Sequence, residues 1–277
     1  MKQKFLKKAA VYLVLAAALV IFLFPVYWML ISAFRNNNGL MQRPLDFKPT
    51  IDTLQNMIAV LSSDKYVRYI MNSLIVSVGT MLSCVVLSLL AGYALSRYKF
   101  PLRKTIMSTL LSVQMFPTVA ILITLYTFFV QFGLTNTYTG LILACLCVSL
   151  PLSVWMMKSF YDTIPVSLDE AAKIDGCSRL GILCRVILPM MKPGIYAVAI
   201  YSFLMAWDDF VFSKVLINVN DKKTLTVGIA ESFLGEFSHN YAGMMALAVI
   251  AALPIVLVFI AFQRFLVSGM TAGAVKE

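Results

Sequence analysis

Charge is what this sequence has least of. Asp, Glu, Lys and Arg together make up 13% of its 277 residues, about half the share of an ordinary soluble domain. Apolar residues make up 60%, and the mean hydropathy is +0.85. A soluble chain of this length has too little interior to hide that much apolar surface, so lipid has to be part of its solvent. Histidine occurs once, at His239, and the five cysteines show no metal-ligand or redox spacing. Cys84, Cys145 and Cys147 lie in apolar runs, Cys177 and Cys184 in a charged stretch, and all five read as small apolar side chains. There is no GxxxxGK[ST] phosphate loop, no HExxH and no GxSxG, which argues against an enzyme acting by itself. Acids are rarer than bases, 13 against 23. The bases fall between long apolar runs instead of gathering on one face among aromatics. That distribution excludes a nucleic-acid surface and points to orientation in a bilayer.

What the chain does have is apolar runs. Six are found, at approximately 9–34, 73–95, 106–132, 139–157, 195–219 and 242–262. Each reaches the roughly 20 residues that a helical crossing needs, the fourth only just. None alternates as a barrel strand would. The first continues through Phe22, Phe24, Tyr27 and Trp28 without a small-x-small cleavage site, so it reads as a retained span and not as a leader. Pro25, Pro117, Pro151 and Pro254 fall inside spans. Pro117 sits after Gln114 and predicts a bent helix buried among its neighbours, because proline frees a backbone carbonyl. Ser77, Gly79, Thr80, Ser83 and Ser88 suit close helix contact, and would also suit a polar path. An external loop is expected over 35–72, with turn signals at Asn36–Gly39 and a short amphipathic helix over 53–61. An even number of spans puts both termini on one side. Fifteen Lys and Arg fall on that side and eight on the other, which makes it the cytoplasmic side.

The longest charge-rich stretch between spans is the cytoplasmic loop 158–194, and within it Ser167–Gly194, SLDEAAKIDGCSRLGILCRVILPMMKPG. Ser167 and Glu170 have the spacing of a capping box. Leu168, Ala171, Ala172 and Ile174 give a narrow apolar strip, and Gly176 can take the left-handed conformation that ends a helix. A second short helix is expected over Ser178–Leu188, before Pro189. From pattern alone, the same stretch also fits a partly helical surface loop. The rarest feature lies in the fifth run, where Asp208 and Asp209 follow Trp207. Two acids in a span call for protein or water around them, not lipid.

Residue types and spacing in this loop resemble a known family. Glu170, Ala171, Ala172, Asp175 and Gly176, followed by Gly181, Leu188 and Pro189, look like the EAA loop of the inner-membrane subunits of binding-protein-dependent ABC importers. The likeness extends over nearly the whole chain and is closest to the carbohydrate-uptake branch, with maltose-type permeases. FPVYWMLISAF at Phe24, the Asn72-Ser73 pair, WDDFVFSKVLI at Trp207, LTVGIA at Leu225 and the ending LPIVLVFIAFQRFLVSGMTAGAVKE carry it. Asp208 departs from the asparagine common there, which puts a direct carry-over of a neutral sugar contact in doubt.

The resemblance implies an all-α membrane protein of six transmembrane helices with the MetI-like permease fold, in a bacterial or archaeal cytoplasmic membrane. It implies ATP-driven uptake of a sugar or oligosaccharide by alternating access, this chain supplying half of the path. Glu170, Ala171, Ala172, Asp175, Gly176, Gly181 and Pro189 would couple it to the ATPase, and tail residues Gly273, Ala274, Val275 and Lys276 would touch the same partner. Trp207, Asp208, Asp209 and Phe210 would lie at a cavity or gate, Trp207 either facing a sugar ring or simply packing. The implied partners are a second, related permease, two ATP-binding subunits and an external solute-binding protein. This chain would bind no metal or cofactor, ATP and magnesium belonging to the ATPase subunits. Import of a different solute, or a scaffold or signalling role without transport, are the alternatives. A cysteine introduced at Gly181 should be shielded from membrane-impermeant thiol reagents in intact cells and react once the membrane is opened. Labelling from outside would overturn the orientation.

Overall fold

The computed structural model describes the backbone of residues 2–40, 46–234 and 240–274, and the side chains of residues 8–40, 46–234 and 240–262. Every regular element among them is helical. The chain opens with α1 (Lys2–Ala33), α2 (Asn37–Leu40), α3 (Gln55–Leu61) and α4 (Asp64–Arg97). It continues with α5 (Arg103–Val113), α6 (Thr118–Gln131), α7 (Tyr138–Asp162) and α8 (Ser167–Ile174). Next come α9 (Arg179–Gly181), a π-helical turn (Ile182–Ile187), α10 (Leu188–Met190), α11 (Lys192–Trp207) and α12 (Val211–Leu216). A 3₁₀ turn (Asn220–Lys222), α13 (Leu225–Phe233) and α14 (Tyr241–Ala274) complete it.

Four stretches are long and apolar enough to cross a membrane alone: Lys8–Ala33, Asp64–Arg97, Tyr138–Asp162 and Tyr241–Phe262. Two more crossings exist only as bent pairs. α5 meets α6 at 99°, and Arg179–Met190 meets α11 at 79°. Counted that way the spans number six, with two of them broken. The first break falls where Pro117 predicted it. Pro117 is extended (φ −57°, ψ 129°) and precedes α6, and Gln114 Nε2 donates to the Val148 carbonyl of α7 at 2.7 Å.

Three expected boundaries change. The run 73–95 extends to Asp64–Arg97, because helical hydrogen bonding does not stop where charge begins, and Asp64 suits the positive end of the helix dipole. The external loop is correspondingly shorter, and partly helical in α2 and α3. The run 195–219 is not one helix: it starts at Lys192, with Pro193 in its first turn, and stops at Trp207.

The chain divides into two compact units. The first comprises Met1–Val67 and Gly228–Leu253. Here the last turn of α1 is held by the segment after it. The Phe34 carbonyl accepts from the amides of Asp52 and Thr53, each at 3.0 Å, and Asn56 Nδ2 donates to the carbonyls of Ala33 (3.1 Å) and Arg35 (2.9 Å). These bonds satisfy carbonyls that a helix C-terminus leaves open. Arg35, buried, donates to the carbonyls of Asp46 (2.5 Å) and Lys48 (2.7 Å).

The second unit comprises Arg68–Val227 and Pro254–Glu277, and α7 runs through its core. The face of α4 buried in it is small and hydroxylated, with Ser73, Ser77, Thr80, Cys84, Ser88 and Gly92, while Leu82, Val86 and Leu90 are exposed. This inverts the pattern of a soluble helix and answers the question left by the serine-rich run: Ser77, Thr80 and Ser88 pack. A Cβ placed on Gly92 would lie 3.0 Å from Met157 Cβ, and one on Gly194 of α11 would lie 2.7 Å from Phe160 Cγ. Both glycines therefore let a helix backbone approach α7. Gly194→Leu should destabilise the unit by about 1–3 kcal/mol through overpacking. Gly39→Leu, where nothing lies within 4 Å of the added carbon, should change little. Thermal unfolding of the two purified variants, compared with the parent, checks this.

Candidate functional site

Two regions of the second unit carry the residues singled out above. The first is the loop between α7 and α11. α8 forms over Ser167–Ile174 and ends at Gly176, whose φ of +79° is the left-handed turn expected of it. The capping box does not form. Val166, not Ser167, is the N-cap, and it is helical (φ −64°, ψ −26°), with no side-chain cap. Its carbonyl accepts from the Asp169 and Glu170 amides at 3.0 and 3.2 Å. With one more residue wound into the helix, Ser167 stands a position too late to cap it.

The two alanines face opposite ways. Ala172 is 6% exposed, inside a cluster with Met157, Tyr161, Ile164, Ile182 and Ile187 of its own chain. Ala171 is exposed, together with Glu170, Lys173 and Asp175. Ile174 is 86% exposed and Leu180 68%, apolar side chains on the outside of a charged loop. Gly181 lies in the short α9, its amide donating to Ser178 Oγ at 3.2 Å, and Pro189 is exposed in α10.

Sequence reasoning missed what anchors this loop. Asp169 is 5% exposed, and its Oδ2 lies 2.7 Å from Nε of Arg97, the last residue of α4. Both side chains are 7% exposed. The N–H is not aimed for a regular hydrogen bond, so the contact is a close ion pair and not a directed one. Arg97 Nη2 donates to the Ile164 carbonyl at 3.0 Å. Removing one member of such a buried pair costs about 3–5 kcal/mol, since the other charge is left alone in a low-dielectric site. Arg97 had counted only toward topology. The usable signal was an unmatched acid and an unmatched base placed at the same membrane face.

The second region is the break between α11 and α12. Asp209 is spent on structure: its carboxylate accepts from the amides of Phe212 (3.2 Å) and Ser213 (2.8 Å) and from Ser213 Oγ (2.7 Å). It therefore caps α12 as the chain re-enters a helix. Trp207 is 3% exposed and stacked on Phe203, with centroids 5.6 Å apart. It packs in the interior and is not a cavity or gate residue. Asp208 and Phe210 are exposed and, with Asp209, line an open cavity of about 540 Å³ shared by Thr118, Cys145, Tyr201 and Met205. Thr226 Oγ1 donates to the Asp209 carbonyl at 2.6 Å, tying this break to α13.

Beside it lies a polar knot at the N-terminal ends of α4 and α7. Asn72 Nδ2 donates to the carbonyls of Asp221 and Lys223, both at 2.9 Å, and its Oδ1 accepts from Tyr138 at 2.8 Å. Ser73 Oγ accepts from the Leu225 amide at 2.9 Å. Asn136, at φ +56°, accepts from the Asn218 amide at 2.7 Å. The Asn72-Ser73 pair was legible as a motif, but not as the clasp of a distant segment. Of the tail, Gly273 and Ala274 are described as helical backbone only, and Val275 and Lys276 lie outside the described residues, as does His239.

Membrane-crossing helices broken beside an open, partly polar cavity, with a helical loop projecting at one end, define a membrane transport protein. The chain belongs to the family of binding-protein-dependent transport system inner membrane components, whose pattern matches residues 84–272. It is 35% identical over 283 residues to the trehalose/maltose transport system permease protein MalG of Thermococcus litoralis, an alignment covering 100% of this chain and 99% of that one. It is 34% identical over 254 residues to the sulfoquinovosyl glycerol transport system permease protein SmoH of Agrobacterium fabrum, covering 92% and 89%. Its fold superposes with a TM-score of 0.83, at 18% identity and over 95% of this chain and 98% of the other, on a chain of a bacterial ABC transporter involved in the import of the acidic polysaccharide alginate.

The buried side of α8 yields a direct test. Ala172→Trp should destabilise the isolated chain, whereas Ala171→Trp should leave its thermal unfolding in detergent unchanged. Equal effects would mean that α8 is turned differently.

Proposed function

We propose that this chain is the permease half of an ATP-driven importer of a sugar or oligosaccharide. The observation that carries the reading is full-length similarity to permeases named for such solutes, one of them matched over 100% of this chain. A second, related permease would supply the other half of the path and two ATP-binding subunits the hydrolysis, with ATP and magnesium bound there. An external binding protein, implied by the family's own description, would deliver the solute. Both termini and α8 would face the cytoplasm.

The exposed side of α8 suits an ATPase partner. Glu170, Ala171 and Asp175 lie on it, and Ile174, at 86% exposure, is an apolar anchor with no packing in its own chain. Exposed apolar side chains rimmed by charge mark protein interaction surfaces. Ala172 and Gly176 contribute differently, by packing α8 against the bundle and by turning the chain out of it. Gly181 and Pro189 would hold the second arm of the loop, and Gly273–Lys276 would reach the same partner. Asp208 and Phe210 would stand on the solute's side of the path, with Asp209 shaping the break beneath them. An acid at position 208 favours a hydroxyl-rich solute by accepting hydrogen bonds.

Uptake by the complete complex in proteoliposomes tests the reading. Labelled mono-, di- and oligosaccharides are compared with amino acids and peptides, with ATP inside and the binding protein outside. ATP-dependent accumulation of a saccharide is expected. Entry of an amino acid or peptide, with saccharides left behind, would refute the substrate class. Absence of any uptake, in a complex whose ATPase still responds to its binding protein, would refute transport in favour of a scaffold or signalling role.

A further inference from the structure

α8 is joined covalently to α7 and α9 only, yet its one buried charge is bonded to neither. Asp169 faces Arg97 of α4, a helix separated from it by α5, α6 and α7 in the chain. The last turns of α4 hold the rest of this region as well. Ser96 Oγ donates to Asp162 Oδ1 at 2.6 Å, and Lys158 pairs with the same carboxylate. The Tyr161 hydroxyl donates to the Leu89 carbonyl at 3.2 Å, with the Tyr93 ring 5.6 Å from that of Tyr161. The Arg179 guanidinium lies 5.8 Å from the centre of the Tyr98 ring. Among these contacts the Arg97–Asp169 pair is the one that resists separation most, because neither of Asp169's oxygens has another donor among the described residues. Any displacement of α8 relative to α4 would leave two charges buried and alone. At its other end, α4 carries Asn72 and Ser73, which clasp the Asp221–Leu225 segment, and Thr226 in turn holds the Asp209 carbonyl at the cavity.

We propose that Arg97 and Asp169 form a permanent ionic weld that makes α8 and α4 move as one body, so that displacement of α8 by the ATPase is delivered through α4 to the break at Asp208–Phe210. This rests on the coupling role proposed for α8 and adds the route by which its motion leaves the loop. Arg97 and Asp169 are positioning residues. They touch neither solute nor nucleotide, and they lie on the side of α8 away from the exposed Ile174. The bond is not a switch that opens during the cycle, because nothing else among the described residues is placed to receive either charge.

The test uses the assembled complex, with each readout expressed per complex recovered. Asp169→Asn, which keeps the side-chain shape, should still assemble with the ATPase and hydrolyse ATP at the basal rate. Its uptake should fall at least tenfold, and stimulation of its ATPase by the binding protein should fall with it. A purely structural role would lower the yield of complex and leave the uptake per ATP hydrolysed unchanged. Cross-linking gives a second measurement that does not depend on the asparagine variant folding. In a background in which the five native cysteines are replaced, Arg97→Cys/Asp169→Cys is bridged with a short bifunctional thiol reagent. Bridging should restore uptake relative to the unbridged double variant, since the proposal has these two helices travelling together. Normal uptake by Asp169→Asn, or loss of uptake on bridging, would overturn the weld. Ile174→Glu in the same assay separates the two readings. It should prevent assembly with the ATPase, and if it assembles and transports normally, the docking surface on α8 is what fails.

Discussion

Helix contact in a bilayer has no hydrophobic force behind it, since a leucine loses nothing by facing lipid. The second unit depends on that constraint. α4 and α11 reach α7 through glycine, at Gly92 and Gly194, where backbone comes so close that a single added carbon would collide with Met157 or Phe160. Between those points the interior is furnished with hydroxyls. Ser149, Ser153 and Ser202 each donate back to a carbonyl of their own helix, and Cys84 of α4 donates to Ser153 of α7 at 3.0 Å. Polar atoms are thus satisfied locally, helices pack by shape, and large apolar side chains such as Leu82, Val86 and Leu90 are left outside for lipid.

The same constraint explains where the helices break. An interrupted helix exposes backbone groups that water cannot reach in a membrane, so each break needs its own partners. At 114–117 a glutamine side chain reaches across to α7. At 208–210 Asp209 receives the first amides of α12, and Thr226 takes its carbonyl. An acid that looks like a solute ligand in the sequence is thereby largely occupied in holding the chain's own backbone. Asp208, its neighbour, has no such duty and stays exposed at the cavity. Adjacent, identical residues come to serve different ends because one points at a helix terminus and the other does not.

Charge is equally rationed at the opposite end of α4 and α7. α8 is the most polar helix in the second unit, and it meets the bundle through one small apolar residue, Ala172, and one buried acid, Asp169. The alanine allows close approach and the acid ties the approach to a particular partner, Arg97. What remains exposed, Glu170, Ala171, Ile174 and Asp175, is free to engage another protein without disturbing those contacts.

Much of this was legible in the sequence. The crossings, the bend at Pro117, the left-handed turn at Gly176 and the EAA loop depend on local chemistry: run length, a missing amide proton, a missing Cβ, residue spacing. Family membership is legible for the same reason, because it resides in residue order. What the tertiary structure alone decided is direction. Ala171 and Ala172 are the same residue type, yet one turns outward and the other inward, because helical geometry sets them about 100° apart and only the packed bundle defines which side is inside. Trp207 became a core residue when Phe203 was found beneath it, and Asp209 became a cap when the chain was seen to bend at 208–210. Arg97 and Asp169 belong to segments read as separate cytoplasmic loops. No periodicity links two charges so far apart in the chain, so that pairing arises only when α4 and α7 end side by side at the same face of the membrane.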